Sequence, residues 1–238
     1  MSAFHNGPEK VCAGAPIFAL FCAGCNPAIT LLHAKPDAVP SRRDFDIRDT
    51  LVASTVFVAA EVTQPHERGW TSRTSSGTGV IISDDGPVVL TVFHGIRDAA
   101  VIRVSFLNAD GYPSGNAAEM EAFRWSEEKD VALLRPADGR RHAVSMTIAL
   151  ENPRSGEPIM FLGRTSRFSA GRILDSEADL PPRGRTLEVE ADSAQGDSGA
   201  PCVNGRGELV GILIAGSAAN RRAYFVRIDD ALSALGIR

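Results

Sequence analysis

From Thr50 onward the chain alternates short apolar runs with turn residues. The runs are "TLVASTVFVAAEV" (50–62), "GTGVIIS" (77–83), "PVVLTVF" (87–93), "VIRVSFL" (101–107), "DVALLRP" (130–136), "EPIMFLG" (157–163), "GRILD" (171–175), "TLEVEA" (186–191), "GAPCVN" (199–204), "ELVGILIAG" (208–216) and "AYFVRI" (223–228). They are mostly short and rich in β-branched residues, which suits a pleated, half-buried surface. Between them lie "SDDG", "NADGYPSG", "ENPRSG", "DLPPRG" and "NGRG", whose Gly, Pro, Asn and Asp close hairpins. Helical spacing is confined to the tail, "DDALSALGIR", where Asp229 or Asp230 caps a short helix presenting Leu232 and Leu235. The pattern predicts an all-β protein built from barrels or sandwiches, closed by a C-terminal helix.

Residues 1–46 read differently. "VCAGAPIFALFCAGC" (11–25) is an uncharged run behind Lys10, too short to cross a bilayer as a helix but the right length for the apolar part of a signal peptide. "CAGC", ending at Cys25, resembles a bacterial lipoprotein processing site, which makes Cys25 the candidate lipid anchor. A metal or redox reading of the same CxxC wants a second ligand pair or a βαβ context, and the sequence offers neither. Pro27, Pro36, Pro40 and "SRRD" mark residues 26–46 as a linker, leaving 47–238 as the folded domain. The expected location is secreted or periplasmic, with a cytoplasmic alternative if the leader is not an export signal.

Composition narrows the function. With 238 residues, 44% hydrophobic and 23% charged, the chain can bury a large core. A net charge of -4 argues against a nucleic-acid-binding surface. Of four cysteines only Cys202 lies outside the first 25 residues, so the fold is expected to stand on packing without an internal disulfide. No cofactor or metal is expected, and no transmembrane helix. The sequence leaves the oligomeric state open.

Three positions carry candidate chemistry. "DSAQGDSGAP" (192–201) surrounds Ser198 with short side chains, and Gly196 and Gly199 let the backbone take positive φ and present N–H groups to one point. A tight hairpin loop explains the glycines but not the whole ordered set. A serine hydroxyl needs a base, and the base needs an orienting acid. His94 ends the apolar run "VVLTVFHG" at a strand terminus, whereas His66 and His142 sit in polar loops and His5 and His33 in the leader and linker. Asp130 opens the strand "DVALLRP", as either a turn cap or the buried partner of a histidine.

Taken in order, "SSGTGVIIS…VVLTVFHGI", "KDVALLRP" and "DSAQGDSGAP" resemble the trypsin-like (chymotrypsin-fold) serine proteases of bacterial type. The likeness runs from about residue 52 to 228. It implies two six-stranded antiparallel barrels, the first over about 50–145 and the second over about 150–228. It also implies hydrolysis of protein or peptide substrates: Ser198 as nucleophile, His94 as general base and acid, Asp130 as its orienting acid, and the N–H groups of Gly196 and Ser198 as oxyanion hole. Asp197 would then pair with a buried cation, for which Arg164 in "LGRTS" is the internal candidate. By the same match Asp192 lies at the base of the primary specificity pocket and Gly216 keeps it open, favouring cleavage after Arg or Lys; Ala223, at a wall position usually glycine, counts against this.

The chain also departs from the family. Phe93 precedes the histidine where alanine is usual, so a ring must be accommodated beside the site. Ile214 or Ala215 stands where many members carry a serine behind the triad acid. Only ten residues follow the last strand, so no peptide-binding domain of the HtrA type is expected after it. The alternatives are a binding module that kept the scaffold without turnover, and an esterase, since acyl transfer to water uses the same parts.

Overall fold

The computed structural model describes residues 42–66, 69–83, 87–137, 143–164, 168–217 and 219–237. The chain divides into two units, Met1–Val39 and Pro40–Arg238. The expected export signal and the candidate lipid anchor at Cys25 lie outside the described residues. None of the described helices is long and apolar enough to cross a membrane.

The described residues form two helices and twelve strands: α1 (Arg42–Ser54), β1 (Thr55–His66), β2 (Gly69–Ser83), β3 (Val88–Val92), β4 (Val101–Leu107), β5 (Pro113–Ser126), β6 (Val131–Pro136), β7 (Pro158–Leu162), β8 (Phe168–Leu180), β9 (Gly184–Glu190), β10 (Pro201–Asn204), β11 (Leu209–Ser217), β12 (Arg222–Arg227) and α2 (Ile228–Ala234). Neighbouring strands pair antiparallel and close into two barrels, in the orders β1-β2-β3-β6-β5-β4 and β10-β11-β12-β9-β8-β7. Closure leaves no sheet edge, and the alternation along each strand puts one side-chain row inside.

Each barrel has its own apolar filling. Val56, Val58, Ile81, Val89, Val104 and Leu134 pack in the first. In the second, Phe161, Ile173, Leu187, Val189 and Phe225 do so, with Phe161 and Phe225 edge to face at 5.5 Å. A third cluster joins residues of both barrels to the helices, among them Leu51, Val80, Leu90, Leu162, Ile212 and Leu232. Burying each such side chain stabilises the fold by about 1.5–3 kcal/mol before entropy is counted. The free thiol of Cys202 lies wholly inside the second barrel, where burial pushes its pKa up and leaves it unreactive.

Three sequence expectations change here. The segment read as a linker running into a strand from Thr50 is helical from Arg42 to Ser54; Ile47 and Leu51, one turn apart, face the core, and Thr50 Oγ1 donates back to the Asp46 carbonyl at 2.9 Å. β5, in polar text rich in Ala and Glu, went unread. It qualifies as a strand because Ala118 and Met120 alternate inward against exposed Glu119 and Glu121. In the tail, Asp229 and Asp230 lie in the first turn of α2 instead of capping it, since Arg227 holds the cap position. As acids near a helix N-terminus they favour the dipole from there.

Candidate active site

The pairing of β3 with β6 brings His94 and Asp130 together. Val92 is opposite Val131, so the chain leaving one strand and the chain entering the other meet at the same end of the barrel. Phe93 N–H donates to the Asp130 carbonyl at 3.1 Å, and Asp130 takes a left-handed φ of 57° at that junction. The Asp130 carboxylate then turns onto the next residue. His94 donates its main-chain N–H to Oδ1 at 2.8 Å and its ring Nδ1–H to Oδ2 at 2.6 Å. An acceptor-only carboxylate fixes the tautomer, leaving Nε2 as the basic nitrogen. Asp130 is 2% exposed, whereas the His94 side chain is 46% exposed. The acid is buried beneath a base that still reaches solvent.

Ser198 lies in a turn that the second barrel presses onto β2 of the first. Thr78 N–H donates to the Ser198 carbonyl at 2.8 Å, and Thr78 Oγ1 to the Gly196 carbonyl at 3.1 Å. The hydroxyl of Thr91, on β3 just before His94, donates to the Thr78 carbonyl at 2.7 Å. These bonds carry the serine turn to the strand that leads into His94. Glycine is required here: Gly196 and Gly199 have φ of 95° and 89°, and a Cβ at Gly199 would sit 1.9 Å from the Thr78 carbonyl oxygen. Behind the turn, buried Asp197 accepts Ala194 N–H at 2.7 Å and Arg164 N–H at 2.9 Å. Arg164 thus reaches Asp197 through its main chain, and Gly163 leaves room for the carboxylate. A cleft of about 530 Å³ opens over these parts, with His94, Gly95, Arg73, Ser76, Arg164 and Gln195 among its walls.

The residues expected to set specificity lie at the start of the serine loop and on the β11–β12 pair. A Cβ on Gly216 would fall 1.9 Å from Ser193 Oγ, so the "DS" start of the serine loop packs directly on this glycine, and Ala223 is buried opposite Gly216 in the β11–β12 pairing. Asp192 is half-exposed, and its Oδ1 accepts Arg221 Nε–H at 3.1 Å. Phe93 is accommodated beside the His94–Asp130 pair: it stacks on Trp125 with centroids 6.0 Å apart, and the Arg97 guanidinium lies 5.1 Å above its ring.

Sequence reasoning missed Thr78, Arg221 and Arg183. Thr78 and Arg221 are contacts of the serine loop with distant strands. Arg183, in the turn between β8 and β9, brings Nη2 within 3.4 Å of Asp130 Oδ2. A turn arginine in "PPRGR" carries no local sign of such a partner.

Two closed six-stranded barrels, a histidine–aspartate pair on the first and a Gly-Asp-Ser-Gly turn on the second, define the chymotrypsin-like double-barrel class. Comparison with known proteins sharpens this. The family model described as a trypsin-like peptidase domain matches residues 77–212, and the chain belongs to that family. Serine endoprotease DegS of Haemophilus influenzae is 30% identical over 160 residues, 62% of this chain and 44% of that relative. The chain therefore spans less than half the length of this curated relative. Structures of the HtrA-type protease AlgW with decapeptide, and of a serine-to-alanine variant of AlgW with decapeptide, share the fold, at TM-scores of 0.64 and 0.66 and identities of 19% and 18%. They cover 80% and 81% of this chain, and 66% and 65% of their own.

Proposed function

We propose that this protein is a serine endopeptidase in which Ser198, His94 and Asp130 act as one unit. The observation that carries the reading is the buried Asp130 carboxylate, which holds both the N–H and the ring Nδ1–H of His94. His94 Nε2 takes the proton of Ser198 Oγ as the oxygen attacks the scissile carbonyl, giving a tetrahedral oxyanion. The N–H groups of Gly196 and Ser198 receive that charge. The imidazolium, stabilised by Asp130, returns the proton to the leaving amine, and water repeats the steps on the acyl-enzyme. The named activity of DegS and the decapeptide in the AlgW structures favour peptide bonds over simple esters. Residues 11–25 fit this reading as an export signal that delivers the enzyme to extracytoplasmic substrates.

The Arg/Lys preference is the finer part of the proposal, and Arg221 sets its strength. Asp192 already holds a guanidinium, so a basic side chain competes with Arg221 for the acid. The discriminating experiment treats the folded protein with a fluorophosphonate probe beside Ser198→Ala, then offers a peptide library varied before the cut. Labelling confined to wild type, with peptide cleavage, is expected. Absence of labelling on folded wild type overturns the enzyme reading, and labelling with ester turnover alone favours an esterase.

A further inference from the structure

Asp130 accepts more than His94. Its Oδ2, which takes the ring Nδ1–H, also faces Arg183 Nη2 at 3.4 Å. Arg183 comes from the other barrel, at the turn joining β8 to β9, and its side chain is 27% exposed. The guanidinium is held in place from several sides. Its Nη1 donates to the carbonyl of Glu127 and lies 3.5 Å from that of Glu128, both in the turn that leads into Asp130. The Arg183 carbonyl accepts Lys129 Nζ at 3.1 Å, and its N–H donates to the Leu180 carbonyl at 2.6 Å. One side chain therefore ties together the turn from 127 to 130 that presents the acid.

We propose that Arg183 is a positioning residue of this site, holding the Asp130 carboxylate in line with His94 and coupling the β8–β9 turn to the catalytic group. This rests on the function proposed above. A buried carboxylate beside a neutral imidazole lacks a compensating charge, and the nearby guanidinium supplies it. At the β11 position expected to carry a hydroxyl behind the acid the chain has Ile214 or Ala215, neither of which can donate a side-chain hydrogen bond to Asp130. The cost of Arg183 is electrostatic: a cation near Oδ2 opposes the imidazolium that forms on His94. Position and charge thus act in opposite directions, which makes them separable.

The test compares wild type, Arg183→Gln and Arg183→Lys on one peptide substrate across pH. Position predicts that Arg183→Gln lowers kcat by about tenfold with KM unchanged, the size of a partly exposed charged contact. Charge predicts that the acid limb of its kcat/KM profile moves to higher pH, because protonating the His94–Asp130 pair no longer meets this cation. The other charges facing the pair are Lys129 and Glu127 beside Arg183, and Arg73, Arg97 and Arg164 around the cleft; none of them is altered. Arg183→Lys should restore the limb and only part of kcat, since an ammonium cannot span the two carbonyls and the carboxylate together. A folded Gln variant with unchanged kcat and an unmoved limb overturns the proposal. If the Gln variant melts below assay temperature, full kcat in the Lys variant overturns it. The low-field proton signal of His94 Nδ1–H, followed in Ser198→Ala with and without Arg183→Gln, reads the same contact without turnover. Should wild type fail to label with fluorophosphonate, the function falls, whereas an unchanged low-field signal removes Arg183's role alone.

Discussion

Asp130 in the first barrel and Arg227 in the second are both almost fully buried, yet their surroundings differ. Arg227 is closed in by acids: Nε and Nη2 fork onto Asp229 at 3.1 and 2.9 Å, and Nη1 meets Glu177. Arg185 extends the network, bonding Asp230 at 3.0 and 2.6 Å and Glu177 at 3.3 Å. Every partner there carries a fixed opposite charge, and the assembly pins α2 to the barrel. Asp130 instead has as its nearest partner an imidazole that reaches solvent and can gain or lose a proton. A buried charge whose counter-ions are all permanent serves structure, while one whose nearest partner gains its charge only when a proton arrives can serve chemistry.

Substitutions that break this contrast should differ in kind as well as size. Ser198→Ala should lower kcat by a factor on the order of 10⁶ and Asp130→Asn by about 10⁴, both with near-native melting, as measured by steady-state peptide cleavage. Gly199→Ala strikes the seam between the barrels. Its methyl group meets the Thr78 carbonyl and its φ is unfavourable, so displacement of the serine turn should cost about 10²- to 10³-fold in kcat. Asp229→Asn should do the reverse, sparing kcat while costing about 3 kcal/mol of stability in chemical denaturation, because Arg227 keeps only Glu177 as an opposite charge.

The same pair gives a pH signature. Burial pushes the Asp229 carboxyl up, but the bonds and charge of Arg227 outweigh it and hold it below the usual carboxylate range. With the folded value depressed, the pair stabilises the protein above the ordinary carboxylate pKa, and that contribution drains away as pH falls below about 4. Asp229→Asn should flatten this acid slope in melting curves. The smallest effect belongs to Arg221→Ala, which removes the Arg221 partner of Asp192 and should raise cleavage after Arg or Lys by about twofold to fivefold relative to uncharged residues, the range of an exposed ion pair. An unchanged profile in the peptide library would remove Asp192 from specificity.

The parts of this site legible in the sequence are those whose reason is local. His94 and Asp130 announce themselves because each abuts an apolar strand, and the Val92–Val131 register makes their meeting a consequence of strand pairing. The glycines around Ser198 declare a positive-φ turn in the same way. What stayed hidden depends on the other barrel: Arg183 meets Lys129 across 54 residues, and Thr78 meets Gly196 across 118. No periodicity encodes such contacts. α1 was obscured because β-branched residues continue through Ser54 into β1, so the change of period from helix to strand leaves no break in composition. β5 was obscured by the opposite fault, its alanines and glutamates reading as helix formers although its neighbours make it a strand.

The bond from Thr78 N–H to the Ser198 carbonyl has a mechanical consequence. The Ser198 turn and His94 are carried by different barrels, so their separation measures how firmly the two are seated on each other. A slight parting at this seam would abolish the proposed activity while both sheets remain hydrogen-bonded. In a denaturant titration, peptide cleavage should fade before the β-sheet circular dichroism does, making activity a strain gauge for the joint.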